Sequence, residues 1–123
     1  MPEPDISKVL ERYTACVTAG DVDGIVGLYA SEATLEIPVG GSVSRGIDAI
    51  RAFYAENELA ERLVLTGTVR VAGREAAAPM CAHIRRDGQL HEVDVIDVVA
   101  FDDEGRLTSM RAFFDLAGMR PLA

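Results

Sequence analysis

Tryptophan is absent from the 123 residues, and cysteine and histidine occur only twice each. Lysine is scarcer still, with Lys8 the single example among twelve basic side chains. Each shortage excludes a chemistry. Cys16 and Cys81 form no CxxC pair, and together with His83 and His91 they match no recognised metal-ligand spacing, so no metal is expected. Lys8 lies in a polar stretch near the chain start, which nearly excludes Schiff-base catalysis. No apolar run approaches the roughly 20 residues that cross a bilayer, so no membrane insertion is expected. The opening MPEPDISKVLERY lacks the basic and apolar regions of a secretory signal, which predicts a cytoplasmic protein. Cations are outnumbered: twenty acidic against twelve basic side chains give a net charge of −8, which argues against nucleic acid as a partner.

What remains is globular. Hydrophobic residues make up 49% and charged residues 26% of the chain, and its length predicts a single domain over residues 1–123. Ile6, Val9, Leu10, Tyr13 and Val17 recur at helical spacing over residues 5–19, and Gly20 suits the end of that helix. Asp21 is placed as the N-cap of a shorter helix burying Val22, Ile25, Val26 and Tyr29. The alternating stretch 33–37 reads as a strand ended by Pro38, Gly40 and Gly41, and a third helix starts near Ile47 with Ile50, Phe53 and Tyr54 inward. Four strands follow, at 62–72, 75–86, 90–101 and 106–114. Asp87-Gly88 and the run 102–105 mark turns, and Pro79 predicts a bulge or an edge. Helices first and strands afterwards define an α+β fold, a curved antiparallel sheet with helices across one face.

One residue breaks the pattern. In VDVIDVVAF, Asp97 shares its strand face with Val93, Val95, Val99 and Phe101. An ionised carboxylate there is unfavourable unless it is paired or hydrogen-bonded, and desolvation would raise its pKa toward a protonated, donating form. Periodicity alone favours the plainer alternative, a structural aspartate bonded to buried polar groups. Asp94 points to the opposite face, toward solvent or a partner subunit. Tyr13, Tyr29 and Tyr54 fall one on each helix, all on apolar sides. Singly each reads as core; together their hydroxyls can satisfy one another in a chain and present a donor to a developing oxyanion.

These residues sit in segments that resemble the bacterial Δ5-3-ketosteroid isomerases: ERYTACVTAGDVDGIVGLYASEATLEIPVG, GIDAIRAFYAE and DVIDVVAFDDEGRLTSMRAFF, together spanning about Val9 to Phe114. The resemblance implies a cone-shaped fold of three helices closing over a strongly curved sheet. It also implies a deep apolar pocket for a small hydrophobic ligand such as a 3-ketosteroid, a reaction without cofactor, and a homodimer. By position, Tyr13 matches the family's oxyanion-hole tyrosine and Asp97 its protonated aspartic acid, with Tyr29 and Tyr54 as supporting tyrosines. This family is itself the established example of a carboxylic acid held neutral at pH 7, and the resemblance implies the same for Asp97. Met80, Ala82, Val93, Val95, Met110 and Ala112 would line the pocket, although ordinary core packing has the same composition.

The departure from the family pattern is at the general base. The family places an Asp immediately before Pro, in a motif close to Glu-Asp-Pro-x-Gly. Here the stretch is Glu36-Ile37-Pro38-Val39-Gly40, and an alkyl side chain accepts no proton. Strand alternation turns Glu36 away from the face of Ile37, and neither His83 nor His91 is placed as a convincing substitute. The expected function is therefore isomerisation of 3-oxo-Δ5- to 3-oxo-Δ4-steroids through a dienolate held by Tyr13 and Asp97, weakened by the missing base. The alternatives are a steroid or other hydrophobic-ligand binder, or a repurposed pocket activating a carbonyl without its own base.

Overall fold

A computed structural model describes residues 5–122, so residues 1–4 of the acidic opening segment and residue 123 lie outside the described residues. Three helices come first. Helix α1 spans Ile6–Ala19, with Asp5 accepting a hydrogen bond from the Lys8 amide at 3.1 Å and Gly20 closing the far end at φ 68°. A positive φ of that kind is accessible to glycine at little cost. Helix α2 spans Val22–Val26, capped as expected by Asp21, which accepts from the Gly24 amide at 2.9 Å. Helix α3 spans Ile47–Glu56 and buries Ile50 and Tyr54, with Phe53 half-buried.

The strands are β1 (Tyr29–Glu36), β2 (Val43–Arg45), β3 (Arg62–Leu65), β4 (Arg70–Ala72), β5 (Glu75–Arg86), β6 (Gln89–Phe101), β7 (Leu107–Phe113) and β8 (Arg120–Pro121). They join in one sheet of order β2-β1-β7-β6-β5-β3, with β4 added to β5 and β8 to β6. The long hairpin β5–β6 is its centre. It stays in register from Glu75↔Ala100 to Arg86↔Gln89 around the Asp87-Gly88 turn, whose φ values of 52° and 77° are both left-handed. A two-residue turn of that kind matches the twist of paired antiparallel strands.

Three sequence expectations need correction, and two short strands go unannounced. Tyr29 is not on the second helix: α2 ends at Val26, and after Gly27 and Leu28 the chain enters β1, where Tyr29 pairs with Leu107. The sheet is not purely antiparallel, because β1 runs parallel to β7, with Leu35 beside Met110. The stretch 62–72 is two strands rather than one. Its break lies opposite Ala78-Pro79, since β3 pairs with residues 80–83 of β5 and β4 with residues 75–77. Proline has no amide hydrogen to offer an outer strand, so the neighbour departs there, while the β5–β6 ladder passes Pro79 without a bulge. Finally, β2 and β8 carry no hydrophobic alternation strong enough to announce them.

The helices lie on the inner sheet face, and one continuous core joins the two layers. Leu10 of α1, Ile25 of α2, Ile50 of α3 and Leu107 of β7 are completely buried within it. Each such side chain contributes about 1.5–3 kcal/mol by leaving water. On β6, Val93, Val95, Asp97, Val99 and Phe101 face this core while Asp94 and Ile96 face outward, as strand alternation requires. No helix among the described residues is long and apolar enough to cross a membrane.

Candidate active site

Between the helices and the inner sheet face is a cavity of about 490 Å³. Its sheet side includes Ala82 of β5, Val93, Val95 and Asp97 of β6, and Ala112 of β7. Tyr13 of α1 and Tyr54 of α3 face it from the helices, and Ile37 and Pro38 meet it just beyond β1. Met80 and Met110, expected at the wall, are not part of it. Both are fully buried in the core, where neighbouring side chains cover them on all sides.

Asp97 is 3% exposed, and its neighbours across the two adjacent strands are Ala78 and Ala112. Each offers only one methyl group, and Asp97 and Ala112 both line the cavity. Desolvation pushes its pKa up to about 7, and among the described residues no cation or hydrogen bond offsets that shift. The alternative of a structural aspartate satisfied by polar neighbours therefore lacks the bonds it requires. A substantial share of Asp97 is a neutral carboxylic acid at pH 7, able to donate a hydrogen bond into the cavity.

The tyrosines form a chain. The Tyr13 and Tyr54 hydroxyls lie 2.9 Å apart, and those of Tyr54 and Tyr29 lie 2.8 Å apart. Burial holds all three phenols well above their ordinary pKa, and the nearby Tyr54 and Asp97 raise Tyr13 further. They are neutral. When both bonds run toward Tyr13, its own hydroxyl hydrogen is left for a ligand, and each donor in the row polarises the next. The displacement of Tyr29 from helix to strand leaves this arrangement intact, because it enters from behind Tyr54 rather than from the cavity. We expect Tyr54→Phe to leave the buried Tyr29 hydroxyl without a partner and to destabilise the protein by about 1–3 kcal/mol in urea unfolding. An unchanged unfolding midpoint would show that the chain contributes nothing to stability.

Substitutes for a base are few. Glu36 is fastened outside the cavity: Arg111 Nε donates to one carboxylate oxygen at 3.2 Å and the Gly40 amide to the other at 3.0 Å. The Gly40 bond first, and Arg111 second, hold its carboxyl below the usual range. His83 lies on the outer sheet face near Glu92, and His91 Nδ1 is 3.0 Å from the Gln89 carbonyl at the hairpin end. Neither histidine lines the cavity. Among the described residues, the carboxylates on the cavity wall are Asp97 and Glu58. Glu58 is exposed at the rim, in the segment 57–60 that follows α3. Sequence reading missed that segment because a short loop after a helix has no periodicity to show which way it faces.

The chain resembles known proteins in sequence and in fold. Residues 10–110 match the SnoaL-like domain. A curated protein named steroid Δ-isomerase, from Nocardioides simplex, is 38% identical over 112 residues, covering 89% of each chain. The solved structure of SalBIII, an epoxide hydrolase/cyclase-like enzyme with a role in pyran ring formation in the polyether salinomycin, superposes with a TM-score of 0.84. It is 27% identical in sequence, and the match covers 95% of both chains.

Proposed function

Because the chain belongs to the ketosteroid isomerase family within the SnoaL-like domains, we propose that it binds 3-oxo steroids and isomerises the Δ5 to the Δ4 form, with catalysis weakened at Ile37. The observation that carries this reading is the pairing of two neutral acids on one cavity. Asp97 is buried with its pKa raised to about 7, and Tyr13 ends a chain of three phenols. Placed against a ketone oxygen, both donate hydrogen bonds. Those bonds strengthen as a proton leaves the carbon between ketone and alkene and negative charge collects on oxygen, which is where such donors lower a barrier. The proton then returns two carbons away, restoring a conjugated enone.

Ile37 provides no acceptor for that proton. It passes instead to water or buffer at the cavity mouth, so the chemical step is slow while binding is retained. The volume of about 490 Å³ falls within the roughly 300–1,000 Å³ typical of pockets for compact organic ligands. The exposed apolar side chains of Ile96 and Phe113, paired across β6 and β7 on the outer face, support a second copy of the chain as a further partner.

A second reading has a specific observation behind it. The structural likeness to an epoxide hydrolase/cyclase-like enzyme, with an alkyl group at position 37, fits a reaction in which Tyr13 and Asp97 activate an oxygen and the substrate supplies its own nucleophile. A purely passive binder is less well supported, because a ring of apolar residues would suffice and two buried acids would be a cost.

Titration with a phenolic steroid mimic should show one site per chain with micromolar or tighter affinity. A Δ5-3-ketosteroid should then give slow growth of the conjugated-enone absorbance. Absence of binding by the mimic would overturn the steroid reading. Binding of the mimic with no enone formation, but turnover of an epoxy-alcohol, would replace it with the second.

A further inference from the structure

On the opposite side of the same two strands, three side chains converge that the cavity does not use. Cys81 and His83 stand two residues apart on the outer face of β5, and Glu92 is the residue directly across from His83 on β6. Their ligand atoms all lie within 4.8 Å of one another. Glu92 Oε2 is 3.8 Å from the Cys81 sulfur, which donates to it, and 3.9 Å from His83 Nε2.

We propose that Cys81, His83 and Glu92 form a binding site for a divalent transition-metal ion of the zinc type, with solvent as fourth ligand. Metal bonds of about 2.0–2.3 Å at tetrahedral angles place ligand atoms about 3.4–3.6 Å apart, so the observed sulfur–oxygen and nitrogen–oxygen separations need only small side-chain adjustments. A thiolate, an imidazole and one carboxylate suit a borderline ion; magnesium and calcium prefer oxygen throughout. Cys81 is buried, and the side chains of His83 and Glu92 are 22% and 30% exposed, which leaves one side of the site open to water.

Glu92 is also held in position from behind. Arg120 of β8 donates from Nε and Nη2 to Oε1, both at 3.2 Å, so Oε2 alone is presented to the cysteine and histidine. Outer partners of this kind orient a ligand carboxylate. Asp94, across from Cys81 and also bonded to Arg120, adds negative charge nearby. Burial first, then the Glu92 and Asp94 carboxylates, raise the Cys81 pKa, so the ion is taken up with release of the thiol proton to solvent. Linear spacing concealed the site, since its third ligand arrives through the pairing of β5 with β6.

The test uses chelator-stripped protein kept reduced and titrated with cobalt(II) as the probe. A thiolate-to-cobalt charge-transfer band should grow to saturation at one ion per chain and collapse when zinc is added. Cys81→Ser should abolish the band, and Cys16→Ser should leave it intact. His83→Gln and Glu92→Gln should each weaken binding by at least the roughly 10- to 100-fold that loss of a mere outer partner costs. Zinc should raise the melting temperature of the parent and of Cys16→Ser but not of Cys81→Ser. Retained binding of the phenolic steroid mimic by Cys81→Ser would show that the variant is folded. No band in the parent, or a band that survives Cys81→Ser, would overturn the proposal.

Discussion

Ile37→Asp is expected to raise the rate of Δ5-3-ketosteroid isomerisation by about 10²–10⁴, the usual worth of a positioned general base. Ile37 already lines the cavity next to Pro38, and Tyr13 and Asp97 lie on the same cavity, so one substitution places a carboxylate there without rebuilding a wall. A carboxylate introduced there shares the cavity with Asp97. Like charges disfavour each other's ionisation, so the new base reinforces the protonated state of Asp97. In this background Tyr13→Phe should remove about 10²–10³ of the rate, the usual loss when one oxyanion donor is deleted. Stopped-flow enone absorbance under single-turnover conditions separates these effects from binding. If Ile37→Asp binds the steroid mimic but stays as slow as the parent, position 37 does not face the reacting carbons. If the parent is already fast, another base is present, and Glu58 at the rim is the carboxylate to remove first.

The depth to which such a site could be read from sequence depended on the kind of order each residue obeys. Asp97 was visible because strand alternation is strict: a carboxylate at an apolar position of VDVIDVVAF stands out whatever the tertiary fold. Tyr13 and Tyr54 were visible for the corresponding reason on helices. Tyr29 falls in a different element from the one its spacing predicts, since a five-residue helix followed by Gly27 provides too little periodicity to mark its end. Its burial was legible even so, because an apolar position at the junction of helix and strand is inward under either assignment. Met80 and Met110 show the opposite limit. Alternation puts them on the inner face correctly, but whether an inner residue meets a cavity or solid core depends on what packs above it. That information is in the helices and the loop 57–60, not in the strand. The Cys81–His83–Glu92 cluster is a further case, since only strand register brings Glu92 to the other two.

The protonation of Asp97 makes the second large prediction, and its sign is fixed by the direction of the shift. The carboxyl has its ordinary value of 3.8 in the unfolded chain and about 7 in the folded one. Between those values the folded protein holds a proton that the unfolded chain has released, so stability falls as pH rises across this window. Asp97 imposes no penalty below pH 3.8 and its full penalty above about 7, a difference of roughly 4 kcal/mol at 1.36 kcal/mol per pH unit. Asp97→Asn has the same shape and no proton to lose. The stability of the parent relative to this variant, from urea unfolding at a series of pH values, should therefore decline across that range and level off above it. Function should follow the same proton. A neutral 3-oxo steroid accepts a hydrogen bond from Asp97 only in its acid form, so its Kd for the parent should rise as pH passes through about 7 and level off where Tyr13 is the donor that remains, while Asp97→Asn, whose amide donates at every pH, should show no such rise. A stability difference independent of pH, together with a pH-independent Kd in the parent, would mean that Asp97 is ionised in the folded protein and that the cavity has one donor rather than two.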